Sequence, residues 1–394
     1  MQVNDSVVII DGARTAVGTY GGAFKSTPAY QLGAVAIQGA LSRSGVSPED
    51  VDDVVLGCVG QVGPDIFNAR RASLAAGIPV GTNAYNVNRL CGSGLQAIWS
   101  GSMEILTGAA EVVVAGGNEN MTMQPFLDYQ ARSGYRLGHH ELVDGTLSLV
   151  TDPWGNYAMG VTAENVANRF GVSRNDQDEF ALLSQQRAAA AQKAGVFADE
   201  IVAVTTKDRR DEYEVVADEH LRADSTLEGL ARLKPAFASE GSVTAGNSSG
   251  INDAGGAVVL MSETVAKERG LTPKARLVAF AMNAIEPEIM GYAPVGAIER
   301  VLAAAKLTLD DIDTIELNEA FAAQSVAVIR GARLDQEKVN PYGGAIALGH
   351  PVGATGAILA LRAAYDLHRR DLEFALVTMC IGGGQAVAAI LQRS

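Results

Sequence analysis

Residues 45–56 read GVSPEDVDDVVL, and residues 306–317 repeat the same pattern as KLTLDDIDTIEL. In each copy a Ser or Thr is followed three positions later by an acidic residue, which is the signature of a capped turn. Each copy then runs from Asp through Val or Ile into a short β-branched stretch, which predicts a buried strand. The two stretches indicate that one structural unit occurs twice in the chain.

The match continues after both copies. NRLCGSGLQAIWSGSMEIL (88–106) and GGAIALGHPVGATGAILAL (343–361) are both Gly-rich turns followed by an apolar, helix-like run. AEVVVAGGNEN (110–120) and FALVTMCIGGG (374–384) then read as short buried strands that end in Gly. This order of strand, turn, helix and strand is typical of layered α/β proteins. We therefore predict an internal duplication with a period of about 260 residues.

The region between the copies, residues 119–245, has a different pattern and is predicted to be an inserted subdomain. Within it we predict a helix over 161–170 that stops at Gly171, and a longer helix over 174–194. Ser173 precedes the longer helix as a capping residue. Insertions of this kind shape ligand access or an oligomer contact.

Composition limits the possible functions. The 394 residues carry a formal net charge of −14, which argues against non-specific binding to nucleic acid or to an anionic membrane, although not against a small anionic ligand. No apolar stretch approaches the roughly 20 residues that span a bilayer. The first residues, MQVNDSVVIIDG, do not resemble a signal peptide, and three scattered cysteines fit a reducing compartment, so we expect a cytoplasmic protein.

Cys91 stands at a predicted strand-to-helix turn, between Leu90 and the Gly-Ser-Gly of residues 92–94. Unpaired N–H groups at the start of a helix favour a thiolate, so Cys91 is a candidate nucleophile, and the glycines would let a substrate approach the backbone. His350 occupies the equivalent turn of the second copy, where a His beside a thiol can take its proton. The alternatives are a small buried residue at position 91 and a structural His at position 350.

Two further positions follow predicted strands. Cys380 ends the strand FALVTMC and precedes three glycines, whose N–H groups are of the kind that bind an oxyanion. A second thiol suggests a second task, such as proton transfer, although filling of the core remains an alternative. Asn318 follows the strand TIEL, where ligand-facing side chains collect in α/β proteins, but it could equally cap a helix.

The stretch GSVTAGNSSGINDAGGAVVLM (241–261) reads as a ligand-wrapping loop that enters a buried strand, with a long surface connection as the alternative. No Gly-x-Gly-x-x-Gly follows the first predicted strand with an acidic residue about 20 positions on, so a dinucleotide site is not indicated. No pair of His or Cys residues has the spacing of a metal site.

Together, NRLCGSGLQA, GSVTAGNSSGIND, NEAFAAQ, GGAIALGHPVGATG and CIGGGQ resemble the thiolase family, in this order and across nearly the whole chain. The resemblance implies an α/β fold of two duplicated βαβαβαββ halves packed as a five-layer αβαβα sandwich. The N-terminal half would span residues 1–270, including the inserted loop domain at about 119–245. The C-terminal half would span residues 271–394.

The resemblance also implies an activity: reversible Claisen condensation and thiolysis between acetyl-CoA and acyl-CoA, through an acyl-cysteine. Cys91 would be the nucleophile, His350 would activate it, and Cys380 would move the α-proton. Asn318 would hold a water that, with His350, stabilises the enolate oxygen. The N–H groups of Cys91 and Gly382 would stabilise the tetrahedral oxyanion.

The substrates implied are acetyl-CoA and 3-ketoacyl-CoA, with coenzyme A as a substrate and neither a metal nor a redox cofactor. The resemblance further implies roles in fatty acid metabolism and β-oxidation, and a homotetramer or at least a homodimer. The loop that joins dimers into tetramers would be residues 129–145, whose basic residues could alternatively meet CoA phosphates. The residues expected to contact CoA are Ser249, Ala245, Arg222, Met159, Ala320 and Phe321.

One departure from the family pattern bears on substrate choice. Short-chain biosynthetic members commonly have His-Met-Gly where this chain has Ala158-Met159-Gly160, so we expect more room beside the acyl group. Ala386 stands where Gly is common in the family, and we expect this difference to have almost no effect on substrate choice. The alternatives to a thiolase are a decarboxylating enzyme of the ketoacyl synthase type, which pairs one Cys with two His, and a non-catalytic acyl-CoA or lipid carrier.

Overall fold

The computed structural model describes residues 6–209 and 211–394. The strands are β1 (Val7–Arg14), β2 (Gly18–Thr19), β3 (Asp53–Gly57), β4 (Asn83–Val87), β5 (Val112–Asn120), β6 (Phe126–Leu127), β7 (Val143–Asp144), β8 (Val204–Asp208), β9 (Asp211–Val215), β10 (Asn252–Ser262), β11 (Ala275–Ala284), β12 (Thr314–Leu317), β13 (Phe374–Ile381) and β14 (Gln385–Arg393). The helices are α1 (Ala29–Ser44), α2 (Asn68–Ala75), α3 (Ser93–Thr107), α4 (Gly145–Leu149), α5 (Met159–Phe170), α6 (Arg174–Lys193), α7 (Leu227–Ala231), α8 (Glu263–Glu268), α9 (Pro294–Ala305), α10 (Ala322–Ala332), α11 (Ala345–Leu348) and α12 (Thr355–Arg369).

Ten strands form one mixed sheet in the order β12-β13-β14-β11-β1-β10-β5-β3-β4, with β2 paired to β10. Most strands of the sheet are buried on both faces, as β5 illustrates, whereas the edge strand β4 is partly exposed. In β5, Val112 and Val114 pack toward α1, whereas Val113 and Ala115 pack toward α3, because successive side chains point to opposite faces. The sheet therefore needs helices on both sides.

The helices form three layers around the two parts of this sheet. Helices α1 and α2 cover the outer face of the N-terminal strands, and α9 and α10 cover the outer face of the C-terminal strands. Helices α3 and α12 pack against each other between the two parts. This five-layer α/β arrangement confirms the predicted fold class.

The two copies of the unit differ in one strand. The N-terminal half runs β1-α1-β3-α2-β4-α3-β5-β10, with the insertion before β10. In the C-terminal half, the position of β4 is reduced to a single bridge between Ile315 and Val339. The chain cannot extend this pairing because Asn340 has a positive φ of 46° and is followed by Pro341, which has no N–H to donate. The second half is thus a shortened version of the predicted βαβαβαββ unit.

The capped turns also differ between the copies. Thr308 and Asp311 form a reciprocal capping box before β12, as their spacing predicts. Ser47 caps no backbone N–H and its hydroxyl bonds Glu49 instead. The division expected between residues 270 and 271 falls in the connection from α8 to β11, and it stays a prediction because β1 pairs directly with β11 in one sheet.

The insertion lies between β5 and β10 and is attached to the sheet by a buried ion network. Arg14 of β1 is fully buried, and its Nε donates to Glu200 at 2.9 Å. Its Nη1 and Nη2 donate to the two carboxylate oxygens of Asp218 at 2.7 and 3.0 Å. Both acids belong to the insertion, so this Arg fixes the inserted region against the core. The predicted helices are present as α5 and α6, and Ser173 and Asp176 form the expected capping box.

Replacing Arg14 by Met should destabilise the fold strongly. The change leaves the buried Asp218 carboxylate without its Arg14 partner and leaves Glu200 only a longer contact with Arg362 Nε at 3.6 Å. Breaking a buried ion pair in this way costs about 3–5 kcal/mol in comparable cases. Urea denaturation followed by circular dichroism measures the effect. Lys207→Met, which breaks an exposed pair with Glu212, is the control and should leave the midpoint almost unchanged. A wild-type midpoint for Arg14→Met would contradict the anchoring role.

Candidate active site

Cys91, His350 and Cys380 line one cavity of about 220 Å³, although they lie far apart in the sequence. Gly382 lines the same cavity. Asn318 lies beside His350, with its amide nitrogen 3.4 Å from Nε2 of the imidazole. The structure thus brings together all five residues that the resemblance implies for catalysis.

The turn that carries Cys91 is short and strained. β4 ends at Val87 and α3 begins at Ser93, and Leu90 adopts a positive φ of 46°, which non-Gly residues rarely do. The Ser93 hydroxyl accepts the Arg89 N–H at 2.9 Å and donates to the Leu90 carbonyl at 2.6 Å. These bonds hold the turn so that Cys91 faces the cavity.

The glycines around Cys91 have a different purpose from the one expected. A Cβ at Gly92 would lie 2.5 Å from Ile381 Cδ1, and a Cβ at Gly94 would lie 2.7 Å from the backbone nitrogen of Ala357. Real Cβ atoms do not come this close to other heavy atoms. The expectation that these glycines admit substrate was therefore wrong, because neighbouring parts of the protein occupy the space.

The Cys91 thiol is less acidic than its position at a helix start suggests. Burial raises its pKa, and the opposing hydrogen bonds from the N–H groups of Gly382 and of Cys91 itself are weaker effects. The charge of Glu119 raises the pKa further. The expectation that the turn favours the thiolate was therefore wrong for the resting protein, and a base has to remove the proton.

His350 has the properties of such a base. Burial lowers the pKa of its imidazole to about 4, so the ring is neutral at physiological pH. Nδ1 lies 2.7 Å from the hydroxyl of Thr355, which itself donates to the Pro351 carbonyl at 2.9 Å. Since the Thr355 proton is used on that carbonyl, Nδ1 carries the ring proton and Nε2 is left as the acceptor.

Cys380 lies near the end of β13 and is 1% exposed. Burial raises the pKa of its thiol well above the ordinary value, and the neighbouring Cys91 raises it further. It therefore rests as a neutral thiol. The Oδ1 atom of Asn318 is buried and has no hydrogen-bond partner among the described residues.

The cavity wall is mostly apolar. Ser249, Met159, Ala320 and Phe321, all expected near CoA, line it, and Ala158 does as well. Sequence reasoning missed Thr355, which fixes the imidazole, although its place five residues after His350 in GHPVGATG is a usable signal. It also missed most of the apolar wall, since these residues come from seven separate segments: Leu90, Met121, Leu147, Leu149, Val150, Phe237, Ile251, Met290 and Val352.

Arg222 and Ala245 do not line this cavity but share a second one of about 430 Å³, which is more polar. The segment 245–250 lines both cavities, the second one through Ala245 and Gly246 and the first through Ser248, Ser249 and Gly250. His220 of the second cavity packs against Gly250 of the first, where an added Cβ would lie 2.4 Å from the ring. The residues expected to contact CoA are thus divided between two adjoining cavities.

The basic residues of segment 129–145 line neither cavity. The segment is exposed between the paired strands β6 and β7, and His140 bonds Gln130 and the Arg136 carbonyl. Within the described ranges, no three or more His, Cys, Asp or Glu residues are grouped to hold a metal ion. No helix of these ranges is both long and apolar enough to cross a membrane.

Comparison with known proteins agrees with this geometry. The family model of the thiolase N-terminal domain matches residues 7–264, and that of the thiolase C-terminal domain matches residues 271–393. The chain is 48% identical over 389 residues to the beta-ketothiolase BktB of Cupriavidus necator, covering 98% of this chain and 99% of the relative.

Solved structures give the same result. The Bacillus anthracis acetyl-CoA acetyltransferase matches with a TM-score of 0.98 and 45% identity, covering 99% of each chain. Human mitochondrial 3-ketoacyl-CoA thiolase in complex with CoA matches with a TM-score of 0.95 and 43% identity, covering 99% of this chain and 98% of that one. With the two family models, these similarities show that the chain belongs to the thiolase family.

Proposed function

We propose that this thiolase transfers acyl groups reversibly between CoA and the α-carbon of acetyl-CoA, through an acyl group held on Cys91. One observation carries the proposal: two thiols and a neutral imidazole line a single, mostly apolar cavity. A covalent acyl-enzyme divides the condensation into two smaller barriers, which requires one thiol for each task.

In the first half-reaction His350 accepts the proton of Cys91 while the sulfur attacks the thioester carbonyl. Neutral Nε2 is suited to this step because the imidazole is unprotonated at rest. The N–H groups of Gly382 and Cys91 already approach the sulfur and can donate to the tetrahedral oxyanion. Collapse of the intermediate expels CoA thiolate, which takes the proton of Cys380, and leaves a thioester on Cys91, a thiolate on Cys380 and a protonated His350.

In the second half-reaction the thiolate of Cys380, formed when its proton went to CoA, removes a proton from the α-carbon of acetyl-CoA. The resulting enolate carbon attacks the acyl-Cys91 carbonyl, and the Cys91 sulfur leaves and takes back its proton from His350, which returns to its neutral form. Asn318 and protonated His350 are placed to stabilise the enolate oxygen, Asn318 through the water implied by the family resemblance. Because burial raises the pKa of the Cys380 thiol, its thiolate is a stronger base than an ordinary one. The difference between its pKa and that of the weakly acidic α-carbon is therefore smaller.

CoA would run along the segment 245–250, which lines both cavities. In this arrangement Ser249 and the Ala245 backbone follow the pantetheine arm, and Arg222 in the second, more polar cavity meets the nucleotide end. CoA is a substrate here, and the proposed steps use only groups of the chain, so no metal or redox cofactor is assigned to them.

A thiol at position 380 favours this reaction over a decarboxylating condensation, in which a second His would be expected. The similarity to proteins named as both acetyltransferase and 3-ketoacyl-CoA thiolase supports short and longer acyl substrates, and Ala158 in the cavity wall leaves room for them. We place the protein in fatty acid metabolism, including β-oxidation, with the direction set by metabolite levels.

We further propose a cytoplasmic homotetramer built as a pair of dimers. The exposed segment between β6 and β7 carries large apolar residues that face solvent in the single chain, among them Tyr129, Leu137 and Leu142. Burial of these side chains against another copy would be favourable. Their position matches the loop that the resemblance assigns to tetramer formation.

Replacing each catalytic thiol should separate the half-reactions. Cys91→Ser should abolish thiolysis of acetoacetyl-CoA, because the acyl group has no thiol to occupy. Cys380→Ser should still exchange labelled CoA into acetyl-CoA through Cys91, while condensation falls by about 100-fold or more. Cys58→Ala, outside the cavity, is the control and should resemble wild type. Equal losses of exchange and condensation in Cys380→Ser would contradict separate roles.

Acylation should depend on the neutral form of His350. Because burial lowers the pKa of His350 to about 4, the ring gains its proton only as the pH falls through that value. Single-turnover acylation by acetyl-CoA should therefore show no acid limb at about pH 6.5, the ordinary pKa of His. Rates are taken over the range in which circular dichroism shows folded protein. An acid limb at about 6.5 would contradict the buried, neutral base.

The preferred length of the substrate's acyl chain should depend on Ala158. Thiolysis rates across 3-ketoacyl-CoAs of four to sixteen carbons should give a flat or rising profile for the wild type. Ala158→His places an imidazole in the cavity wall and leaves less room for the acyl chain, so it should shift the profile toward four carbons. Ala217→His, on the exposed surface, controls for the added side chain. A sharp wild-type peak at four carbons would refute the roomier pocket.

A further inference from the structure

Glu119 is a fully buried carboxylate close to the cavity, and the mechanism above does not use it. It belongs to β5, and its Oε2 accepts the N–H groups of Val59 at 2.9 Å and Gly353 at 3.0 Å. Its Oε1 accepts the N–H of Gly60 at 3.0 Å. A single side chain of the N-terminal half therefore binds the loop after β3 and also the loop that carries His350.

The carbonyl oxygen of Gly353 sits in a cradle of three glycines of the N-terminal half, which approach it closely. An added Cβ at Gly117 of β5 would lie 2.0 Å from this oxygen, one at Gly57 of β3 would lie 2.7 Å away, and one at Gly94 of α3 would lie 3.0 Å away. Only glycine leaves room for the carbonyl at the first two positions. The peptide groups of Gly353 are thus fixed at both N–H and C=O by the half of the protein that carries Cys91.

Gly353, the residue that Glu119 and the glycine cradle bind, lies between His350 and Thr355 in the sequence. Gly353 follows His350 by three residues and precedes Thr355, whose hydroxyl bonds Nδ1 of the imidazole. Gly94 follows Cys91 by three residues in α3. A shift of the loop at Gly353 would therefore change the separation of the Cys91 sulfur and His350 Nε2 directly.

We propose that Glu119 is a positioning residue that, together with the cradle of Gly57, Gly94 and Gly117, holds the His350 loop at the distance from Cys91 that proton transfer requires. The inference rests on the proposed roles of Cys91 and His350. Glu119 lines neither of the two cavities and touches no reacting atom in the proposed steps, so it acts through the loop.

The charge of Glu119 has an effect opposite to its positioning role. Burial raises the pKa of Glu119 to about 7, although the hydrogen bonds from the three N–H groups lower it. When Glu119 is ionised, its charge raises the pKa of Cys91. The other titratable groups that influence this carboxylate are Asp65, by charge, and Cys58, whose sulfur lies 3.9 Å from Oε1. Loss of charge alone would therefore make Cys91 more reactive, whereas loss of position would make it less reactive.

Alkylation of Cys91 by iodoacetamide separates the two effects and needs no substrate turnover. At about pH 8 the thiol reacts with help from a base, whereas at about pH 10 the thiolate reacts increasingly without one. Glu119→Gln should lower the rate at pH 8 by about tenfold or more and leave the rate at pH 10 within about twofold. His350→Asn should give the same profile, read by mass spectrometry of the peptide that contains Cys91.

Two variants complete the test. Glu119→Asp keeps the charge but shortens the reach to Gly353, so it should also lose rate at pH 8, and it covers the case in which Glu119→Gln does not fold. Glu164→Gln removes another buried carboxylate that binds backbone N–H groups, those of Ser242 and Val243, and should keep the wild-type profile. An unchanged or raised rate at pH 8 in folded Glu119→Gln or Glu119→Asp would overturn the proposal. If the wild type lacked thiolysis, the proposed function would fail, and the alkylation profiles would still decide the role of Glu119.

Discussion

The site depends on a close approach of two helices at the centre of the molecule. The first turns of α3 and α12 meet backbone against backbone: a Cβ at Gly94 would lie 2.7 Å from the nitrogen of Ala357, and one at Gly356 would lie 2.3 Å from the nitrogen of Leu95. The contact is reciprocal, as expected for two copies of a unit related by an approximate twofold. Because the Cys91 and His350 turns directly precede these helices, this contact brings them to one cavity.

Burial then determines the chemistry of the cavity. It keeps both thiols and the imidazole uncharged at rest, which is the less costly state in an apolar environment. Charge therefore develops only while a proton moves, and the N–H groups near Cys91 are already in place for it. A pre-placed donor costs no reorganisation when the oxyanion forms. With both thiols uncharged at rest, the reactivity of Cys91 should depend on the position of its base, as the proposed role of Glu119 requires.

The duplicated fold and the two turns that carry Cys91 and His350 could be predicted from the sequence, because local patterns of residues indicate them. The repeat of GVSPEDVDDVVL as KLTLDDIDTIEL predicts the duplication, and the Gly-rich turns mark Cys91 and His350. Other features have no local signal. Glu119 binds backbone N–H groups from distant loops, and because every residue except Pro has such a group, no sequence pattern marks its partners. The need for glycine at positions 92 and 94 is evident only from their contacts with Ile381 and Ala357 in the structure. The acidity of Cys91 was misjudged because burial is a property of the whole fold.

The central claim is that the acyl group rests on the sulfur of Cys91. The most direct measurement is to mix the wild-type protein with acetyl-CoA alone, quench with acid, digest, and locate the acetyl group by mass spectrometry. The account predicts one acetyl group, on the peptide that contains Cys91. Acetylation of Cys380 in its place, or a protein that turns over substrate without ever carrying an acetyl group, would contradict it.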